Sequence, residues 1–410
     1  MRDHFGGRPG LFTAVLSALG LAVLVSMGHA QSPSPSPSPG LGAGAGLAEE
    51  HWRLPLAPQG EAPPRWSDVE RSLAPRSCGQ CHGDQLQQWR TSLHAGAFSP
   101  GLVGQLLTFD AEQTASCMKC HAPLAEQHQD FEAARQRGEA DDPERRGLAA
   151  SGNGCAGCHV RGHRRSGPPG RDDGATGQSD EGGPHGGVYR AAWFEESEFC
   201  AACHQFPQEY AVNGKPLQNT LAEWRASPHA ARGITCQGCH MPGRKHLWRG
   251  IHDPETVASG VTARFSADGR GASFQLSNSG VGHAFPTYIT PKVVMRAVAL
   301  DSQGRPLPET AAWRDIQRVV DYTGGQWVER SDSRLLPGQS ATLRLPWKGS
   351  RRITMWLEVY PDDYYDHQVY DALLTGLPAG GPAARLIAKA DKRAAASRYR
   401  LFETELRRPD

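Results

Sequence analysis

The sequence predicts a region of short α-helices and loops around bound cofactors, followed by an antiparallel β-sandwich-like domain and a C-terminal helix. Two observations lead to this prediction. Five Cys-x-x-Cys-His motifs lie between residues 78 and 240, in a stretch with little long-range periodicity. From Val261 onward, apolar and polar residues alternate in short runs separated by turn residues, which is typical of antiparallel strands.

The five motifs are the attachment signature of c-type haem, in which two thiols bond the porphyrin and the histidine binds the iron. They are Cys78/Cys81/His82, Cys117/Cys120/His121, Cys155/Cys158/His159, Cys200/Cys203/His204 and Cys236/Cys239/His240. A zinc half-site or a redox dithiol would explain a single Cys-x-x-Cys, but not a histidine after every second cysteine. All ten cysteines are used. We therefore predict five covalently bound c-type haems and no disulfide.

A repeated segment predicts two further iron ligands. Trp89-Arg-Thr-Ser-Leu-His94 matches Trp224-Arg-Ala-Ser-Pro-His229, and each copy stands between two haem motifs. A repeated two-haem unit favours packed haem pairs over isolated cofactors. The shared context makes His94 and His229 the strongest candidates for the sixth ligand of an iron.

Four other histidines are candidates for the same role. His246 and His252 follow the fifth motif closely, and His163 follows the third. His283 lies in Gly280–Pro286, where small residues allow a porphyrin to come close. The sequence gives no comparable signal for His51, His128, His185 and His367. Met295 and Met355 are predicted to be core residues, so mostly bis-histidine irons of low potential are expected.

The N-terminus has the pattern of a secretory signal. Residues 1–30 contain Arg2 and Arg8, the apolar run Leu11–Val25, and small residues at Gly28–Ala30 before a cleavage site. An uncleaved anchor is the alternative, although the apolar run is short for a span of about 20 residues. We expect a periplasmic or extracytoplasmic protein, with membrane association if the N-terminus stays uncleaved. Residues 31–64 are predicted to be a Pro/Ser/Gly/Ala-rich linker.

The remaining segments follow from composition and periodicity. Residues 65–260 form the predicted pentahaem domain, with a helix at Leu124–Arg146 and a mobile surface loop at Arg164–Gly187. Residues 261–376 form the predicted β-rich domain, and residues 377–410 the C-terminal helix. Strands are predicted at Ala272–Leu276, Lys292–Leu300, Ala341–Leu345 and Ile353–Tyr360.

The charge balance bears on the kind of partner. The chain has 44 basic and 43 acidic residues, and the basic residues are scattered rather than clustered. Nucleic-acid binding needs a basic patch, so no nucleic-acid partner is predicted.

These residues resemble the multihaem cytochromes of the cytochrome c-554 and hydroxylamine oxidoreductase type. The resemblance is carried by the five motifs, the two tryptophan-to-histidine segments, Glu198–His204 and Gly282–Pro286, and it covers Arg76–Pro286. It implies stacked and perpendicular haem pairs, with His94 and His229 bridging between segments. Cytochrome c-554 carries four haems, whereas this chain has five motifs and an added β domain. The related pentahaem nitrite reductases use lysine in one motif, and no Cys-x-x-Cys-Lys occurs here.

We expect an electron-transfer protein that exchanges electrons with redox partners, either other cytochromes or a membrane quinol-oxidising complex. The alternative is an oxidoreductase that acts on a small nitrogen or sulfur compound at one haem with an open site. In a third interpretation, the β domain docks the cytochrome to another protein.

Overall fold

The computed structural model describes residues 48–179 and 182–410. The predicted signal peptide and the first part of the predicted linker lie outside this range. Within it, none of the helices combines the length and the apolarity that a membrane span requires.

Residues 65–260, called the motif region below, contain short helices. They are α1 Asp68–Arg71, α2 Pro75–Cys78, α3 Gly83–Arg90, α4 Pro100–Leu106, α5 Ala111–His121, α6 Ala125–Gln136, α7 Cys155–His159, α8 Glu198–His204, α9 Thr220–Arg225, α10 Pro228–Ala231, α11 Cys236–His240 and α12 Pro254–Gly260. Local capping starts several of them: Asp110 and Gln113 form a capping box at α5, and Ser99 caps α4 ahead of Pro100. Short, individually capped helices leave the motifs on many separate elements.

The helix predicted at Leu124–Arg146 is shorter in the structure. α6 ends at Gln136, and Gly138 follows with a φ of 71°. A left-handed glycine just past the last turn ends a helix at little steric cost. Two 3₁₀ turns, Pro143–Arg145 and Gly147–Ser151, occupy the rest of the segment.

The predicted linker is wrong from residue 48 onward. Trp52 and Leu56 are buried in one apolar cluster with Leu124, Ala156 and Val160. The Ser/Pro/Gly-rich composition ends before these residues, and large apolar side chains gain free energy by leaving water. The segment therefore precedes the motif region in the chain and packs against it.

The predicted loop at Arg164–Gly187 contains short strands. β1 Val160–Arg161, β2 Arg164–Gly167, β3 Gly177–Gln178 and β4 Tyr189–Arg190 form a sheet in the order β1-β2-β4-β3. A second small ladder, β5 Ala211–Val212 with β6 Lys215–Pro216, lies further along the chain. Backbone pairing thus orders part of a segment whose composition predicts a loop.

Residues 261–410, called the β region below, contain two larger sheets. The strands are β7 Val261–Ala267, β8 Gly271–Asn278, β9 Lys292–Leu300, β10 Ala312–Ile316, β11 Arg318–Thr323, β12 Gln326–Asp332, β13 Ser340–Pro346, β14 Arg352–Tyr360 and β15 Tyr399–Arg407. One sheet has the order β10-β9-β14-β15 and the other β13-β8-β7, with all pairs antiparallel, while β11 and β12 form a hairpin.

A single apolar core joins the two larger sheets. Phe274 and Leu276 from β8 are buried together with Met295 from β9 and Met355 from β14. β8 and β14 alternate strictly between buried and half-buried positions, as expected for strands with one face on a core. Each of the four predicted strands coincides with an observed strand.

The C-terminal helix prediction holds for only part of its range. α14 Pro382–Ala396 lies within the predicted range, and α13 Asp371–Gly376 lies just before it. Tyr399–Arg407 form β15, which pairs with β14. The prediction of a helix to the end of the chain is wrong. β14 has an open edge with which the last residues pair, and local helix propensity carries no information about such an edge. Gly104 lets α14 approach α4 closely, since a Cβ there would lie 2.8 Å from Ile387.

Buried ion pairs connect the motif region to the β region. Arg318 has no exposed side-chain surface and donates to the carbonyls of Pro216 and Val212 at 2.6 and 2.9 Å. Arg334 pairs with Glu223 of α9 at 3.1 Å. Such contacts hold β5, β6 and α9 against the β region.

Candidate haem-binding site

All five motifs line one cavity. Its volume is about 3040 Å³, and its walls include the cysteines and histidines of every motif. Pockets for a single small ligand enclose roughly 300–1,000 Å³. The cavity therefore has room for several large cofactors side by side.

The helical conformation of the motifs explains why their spacing works. Cys155–His159 and Cys236–His240 each form one short helix. Residues at i, i+3 and i+4 lie on the same helix face, so the two thiols and the imidazole project together. The donor set thus fits a porphyrin that is held at two sulfurs and one iron position.

The repeated segment has a matching role in both copies. The indole N–H of Trp89 donates to the carbonyl of Asn153 at 3.0 Å, and that of Trp224 donates to Ile234 at 2.9 Å. Asn153 lies two residues before the motif that begins at Cys155, and Ile234 lies two residues before the motif that begins at Cys236. Both tryptophans therefore hold the chain at the entrance to a motif.

Cysteines of different motifs lie beside each other. Their sulfurs, which are free thiols here, stand for the thioether sulfurs of attached haems. The sulfur pairs that interact are Cys78 with Cys155, Cys120 with Cys203, and Cys200 with Cys236. Cys158 also interacts electrostatically with Cys200 and Cys203. The third and fourth motifs are thus central, and the others adjoin them.

Three motif histidines face a second imidazole across the cavity. The ring centroids are 6.1 Å apart for His159 and His246, 6.3 Å for His204 and His94, and 6.4 Å for His240 and His283. A metal–imidazole bond is about 2.0 Å long and the ring centroid lies about 1.2 Å beyond the nitrogen, so two imidazoles on one metal have centroids about 6.4 Å apart. The three separations fit one iron between each pair.

In four histidines of the cavity, a hydrogen bond at one ring nitrogen determines which nitrogen is available to bind a metal. Nδ1 faces a backbone carbonyl in His121 (Ala97, 2.9 Å), His159 (Ser166, 2.7 Å), His240 (Arg249, 2.7 Å) and His283 (Ala284, 2.9 Å). A carbonyl at Nδ1 selects the tautomer that leaves Nε2 free to bind a metal.

Two predicted ligands have the opposite arrangement. Nε2 of His163 is 2.9 Å from the carbonyl of Gly60, and Nε2 of His252 is 2.9 Å from a carboxylate oxygen of Asp362. Nε2 of each ring is therefore engaged with a protein group, whereas Nδ1 of each is buried without a hydrogen-bond partner among the described residues. The ligand roles predicted for His163 and His252 stay predictions.

His229 lines the cavity without facing a motif histidine. Its Nδ1 is buried and has no hydrogen-bond partner in the described part of the chain. The three ring pairs likewise leave His82 and His121 without a facing imidazole among residues 48–179 and 182–410. The role predicted for His229 stays a prediction.

Burial keeps the facing imidazoles neutral. Burial and the adjacent His204 together lower the pKa of His94 to about 3. Burial also lowers the pKa of both His246 and His283 to about 4. Neutral imidazole is the form that binds metals, so these rings are ready to do so at neutral pH.

Comparisons with known proteins agree with this geometry. The family model described as cytochrome c554 and c-prime matches residues 77–159, which contain three of the five motifs. The chain is also similar in fold to a penta-heme cytochrome c552 from Thermochromatium tepidum, with a TM-score of 0.56 and 18% identity. That match covers 83% of this chain and 100% of the other. No curated protein shows significant similarity.

These findings support a multihaem c-type cytochrome. The chain also contains site residues that the sequence analysis missed. Trp248, with a positive φ of 41°, lies between two predicted ligands: its ring centroid is 4.7 Å from that of His94 and 5.2 Å from that of His246. No motif marks this tryptophan, and only its position after the fifth motif could have drawn attention to it.

A second group of residues that the sequence analysis missed surrounds the second motif. Burial raises the pKa of Tyr288, and Cys117 and Cys120 are among the neighbouring groups that raise it further. Burial also raises the pKa of Tyr365 to about 12, with Cys117 again nearby. Both tyrosines line the cavity, and both lie in the β region. Their distance along the chain from Cys117 hid this relationship in the sequence.

Proposed function

We propose that the protein is an extracytoplasmic pentahaem c-type cytochrome that moves electrons between redox partners. The observation that carries this proposal is the continuous contact between motifs. Sulfurs of the first and third, second and fourth, and fourth and fifth motifs adjoin, and Cys158 links the third to the fourth. Haems attached at adjoining sulfurs lie within one packed array.

In this proposal the haems supply one-electron redox chemistry when they are bound. The chain's own residues set the spacing, hold the axial imidazoles and exclude water. His94, His246 and His283 supply the second imidazole for the fourth, third and fifth motifs respectively. Paired imidazole ligands favour low reduction potentials relative to methionine ligation. Backbone carbonyls at Nδ1 orient the rings of His159, His240 and His283 and increase their basicity.

We infer redox proteins as partners, either other cytochromes or a membrane quinol-oxidising complex. The predicted signal at residues 1–30 supports export, because c-type haem is attached outside the cytoplasmic membrane in bacteria. The same segment, if uncleaved, would hold the cytochrome at the membrane surface.

A potentiometric titration tests the electron-transfer proposal. We expect five one-electron steps per chain, followed through the haem absorption bands, and rapid reduction of all five haems by one small donor in stopped flow. Haem content determined on the same sample serves as the control for complete attachment. Fewer than five haems per chain, or haems that the donor reduces only slowly and separately, would contradict a packed array.

The tyrosines beside the second motif favour a second candidate function. A buried phenol near an iron without a facing imidazole could donate a proton to a bound small nitrogen or sulfur compound. Under this alternative, the reduced protein consumes hydroxylamine or nitrite, and Tyr288→Phe slows the turnover. Tyr189→Phe, which changes a phenol outside the cavity walls, is the matched control. No turnover in the wild-type protein would reject this candidate.

A further inference from the structure

His185 lies in the loop before β4, a segment in which the sequence gave no signal for a ligand. Its imidazole lines the shared cavity, next to Pro184 and Gly187 and together with His82 of the first motif. Arg165 and His82 both act electrostatically on His185. His82 is also one of the two motif histidines without a facing ring.

The ring of His185 has the hydrogen-bond pattern of the motif histidines. Its Nδ1 is 3.0 Å from the carbonyl of Gly187. Nε2 is therefore the free nitrogen of His185, as it is in His159, His240 and His283. His163, at the other end of the same chain segment, has the reverse pattern and engages Nε2.

The backbone of His185 is held in an unusual conformation. Its φ is 45°, a left-handed region that is uncommon for residues other than glycine, although asparagine, aspartate and histidine adopt it more often than the rest. A carboxylate oxygen of Glu70 accepts the His185 N–H at 2.8 Å, and the other oxygen accepts from the backbone N–H of Ser67 at 2.9 Å. Glu70 thus ties this loop to the start of α1. Strained backbone held by neighbouring groups is common where a side chain must point in a required direction.

We propose that His185 supplies the sixth ligand to the iron of the haem attached at Cys78 and Cys81. The proposal rests on the function proposed above, since it needs that haem to be present. Glu70 then acts as a positioning residue, because it fixes the loop without reaching the iron. This iron would be the one whose distal ligand comes from the surface loop rather than from the packed interior of the motif region or the β region.

The test is the spin state of the haems in purified variants with full haem content. We expect His185→Ala to convert one haem in five from low spin to high spin in the absorption and electron paramagnetic resonance spectra, and to let one haem in five bind carbon monoxide when reduced. His185→Met should keep all haems low spin and raise the potential of one, since a thioether ligand favours the reduced iron. His367→Ala, which changes an imidazole outside the cavity walls, is the matched control and should leave the spectra unchanged.

A second background assigns the affected haem. In Cys78→Ser/Cys81→Ser, which cannot attach the first haem, His185→Ala should add no high-spin signal. Wild-type spectra for His185→Ala at full haem content would overturn the ligand assignment while leaving the electron-transfer proposal intact. Absence of attached haem from the wild-type protein would instead overturn the proposed function itself.

Discussion

The indole ring of Trp248 meets the imidazole of His94 edge-on, with an interplanar angle of 67° and centroids 4.7 Å apart. The same indole meets His246 at 87° and 5.2 Å. Edge-to-face contacts of this kind contribute about 0.5–1.5 kcal/mol beyond the area they bury. One side chain therefore restrains two of the imidazoles that we propose as distal ligands.

Trp248→Leu should change both of these haems while leaving their irons low spin. Without the indole, the rings of His94 and His246 lose their orientation restraint, so two low-spin resonance signals should shift. The two potentials should move by less than about 60 mV, the change that corresponds to a tenfold one-electron equilibrium shift. Trp313→Leu, at a residue that is 61% exposed, is the control. A change confined to one haem would contradict the shared contact.

The facing imidazoles predict a clear difference between histidine variants. His283→Ala should convert the haem of the fifth motif to high spin, because it removes the ring opposite His240. His94→Ala and His246→Ala should do the same for the fourth and third motifs. His252→Ala should leave the haem spectra unchanged, since its Nε2 bonds to Asp362. A spin change in His252→Ala with none in His283→Ala would reverse these assignments.

The buried guanidinium of Arg318 should contribute strongly to stability. Arg318→Met removes the guanidinium that donates to three carbonyls of the β5–β6 segment and to Glu329, which keeps Asn213 and Lys215 as partners. Removal of one partner from a buried ion pair costs about 3–5 kcal/mol of unfolding free energy. Arg330→Met, which breaks the half-exposed pair with Asp321, should cost less than about 1 kcal/mol. Urea titrations followed by far-UV circular dichroism compare the two, and equal midpoints would contradict the prediction.

Asp332 should make the contact between the two regions sensitive to acid. Burial disfavours its charged form, but hydrogen bonds from Arg334 and Lys215 outweigh burial and hold the pKa of Asp332 well below its usual value. A depressed carboxyl pKa gives stability that is present above the unfolded-state value of about 3.9 and is lost as the pH falls below it. Asp332→Asn should therefore lower the unfolding midpoint at pH 7, and the difference from wild type should narrow at pH 3. A difference that is constant with pH would refute this origin, and Asp84→Asn at the surface is the control.

Local patterns predicted the parts of the fold that depend on nearby residues. The strict alternation in β8 and β14 reflects one face on a common core, so their strands could be recognised from sequence. The i, i+3, i+4 spacing of the motifs likewise requires only one helical turn. β15 and the packing of Trp52 depend instead on a free sheet edge and on an apolar cluster formed by residues far along the chain.

The candidate site shows the same division. His94, His246 and His283 were predicted from repeats, proximity or small neighbours, and the structure brings each opposite a motif histidine, although their ligation stays a prediction. His163 and His252 had similar sequence signals. What separates the two groups is a long-range hydrogen bond to Gly60 or Asp362, which sequence spacing does not encode. The sequence gave no signal for His185, because its orientation depends on a hydrogen bond to Glu70, which is far away along the chain.

The most direct test of the electron-carrier account is the absorption spectrum of the dithionite-reduced protein before and after addition of carbon monoxide. Six-coordinate irons with two strong ligands have no free position, so the account predicts an unchanged spectrum. A change that corresponds to one haem in five would contradict a pure electron carrier. It would direct attention to an open iron beside Tyr288 and to the alternative of small-molecule chemistry.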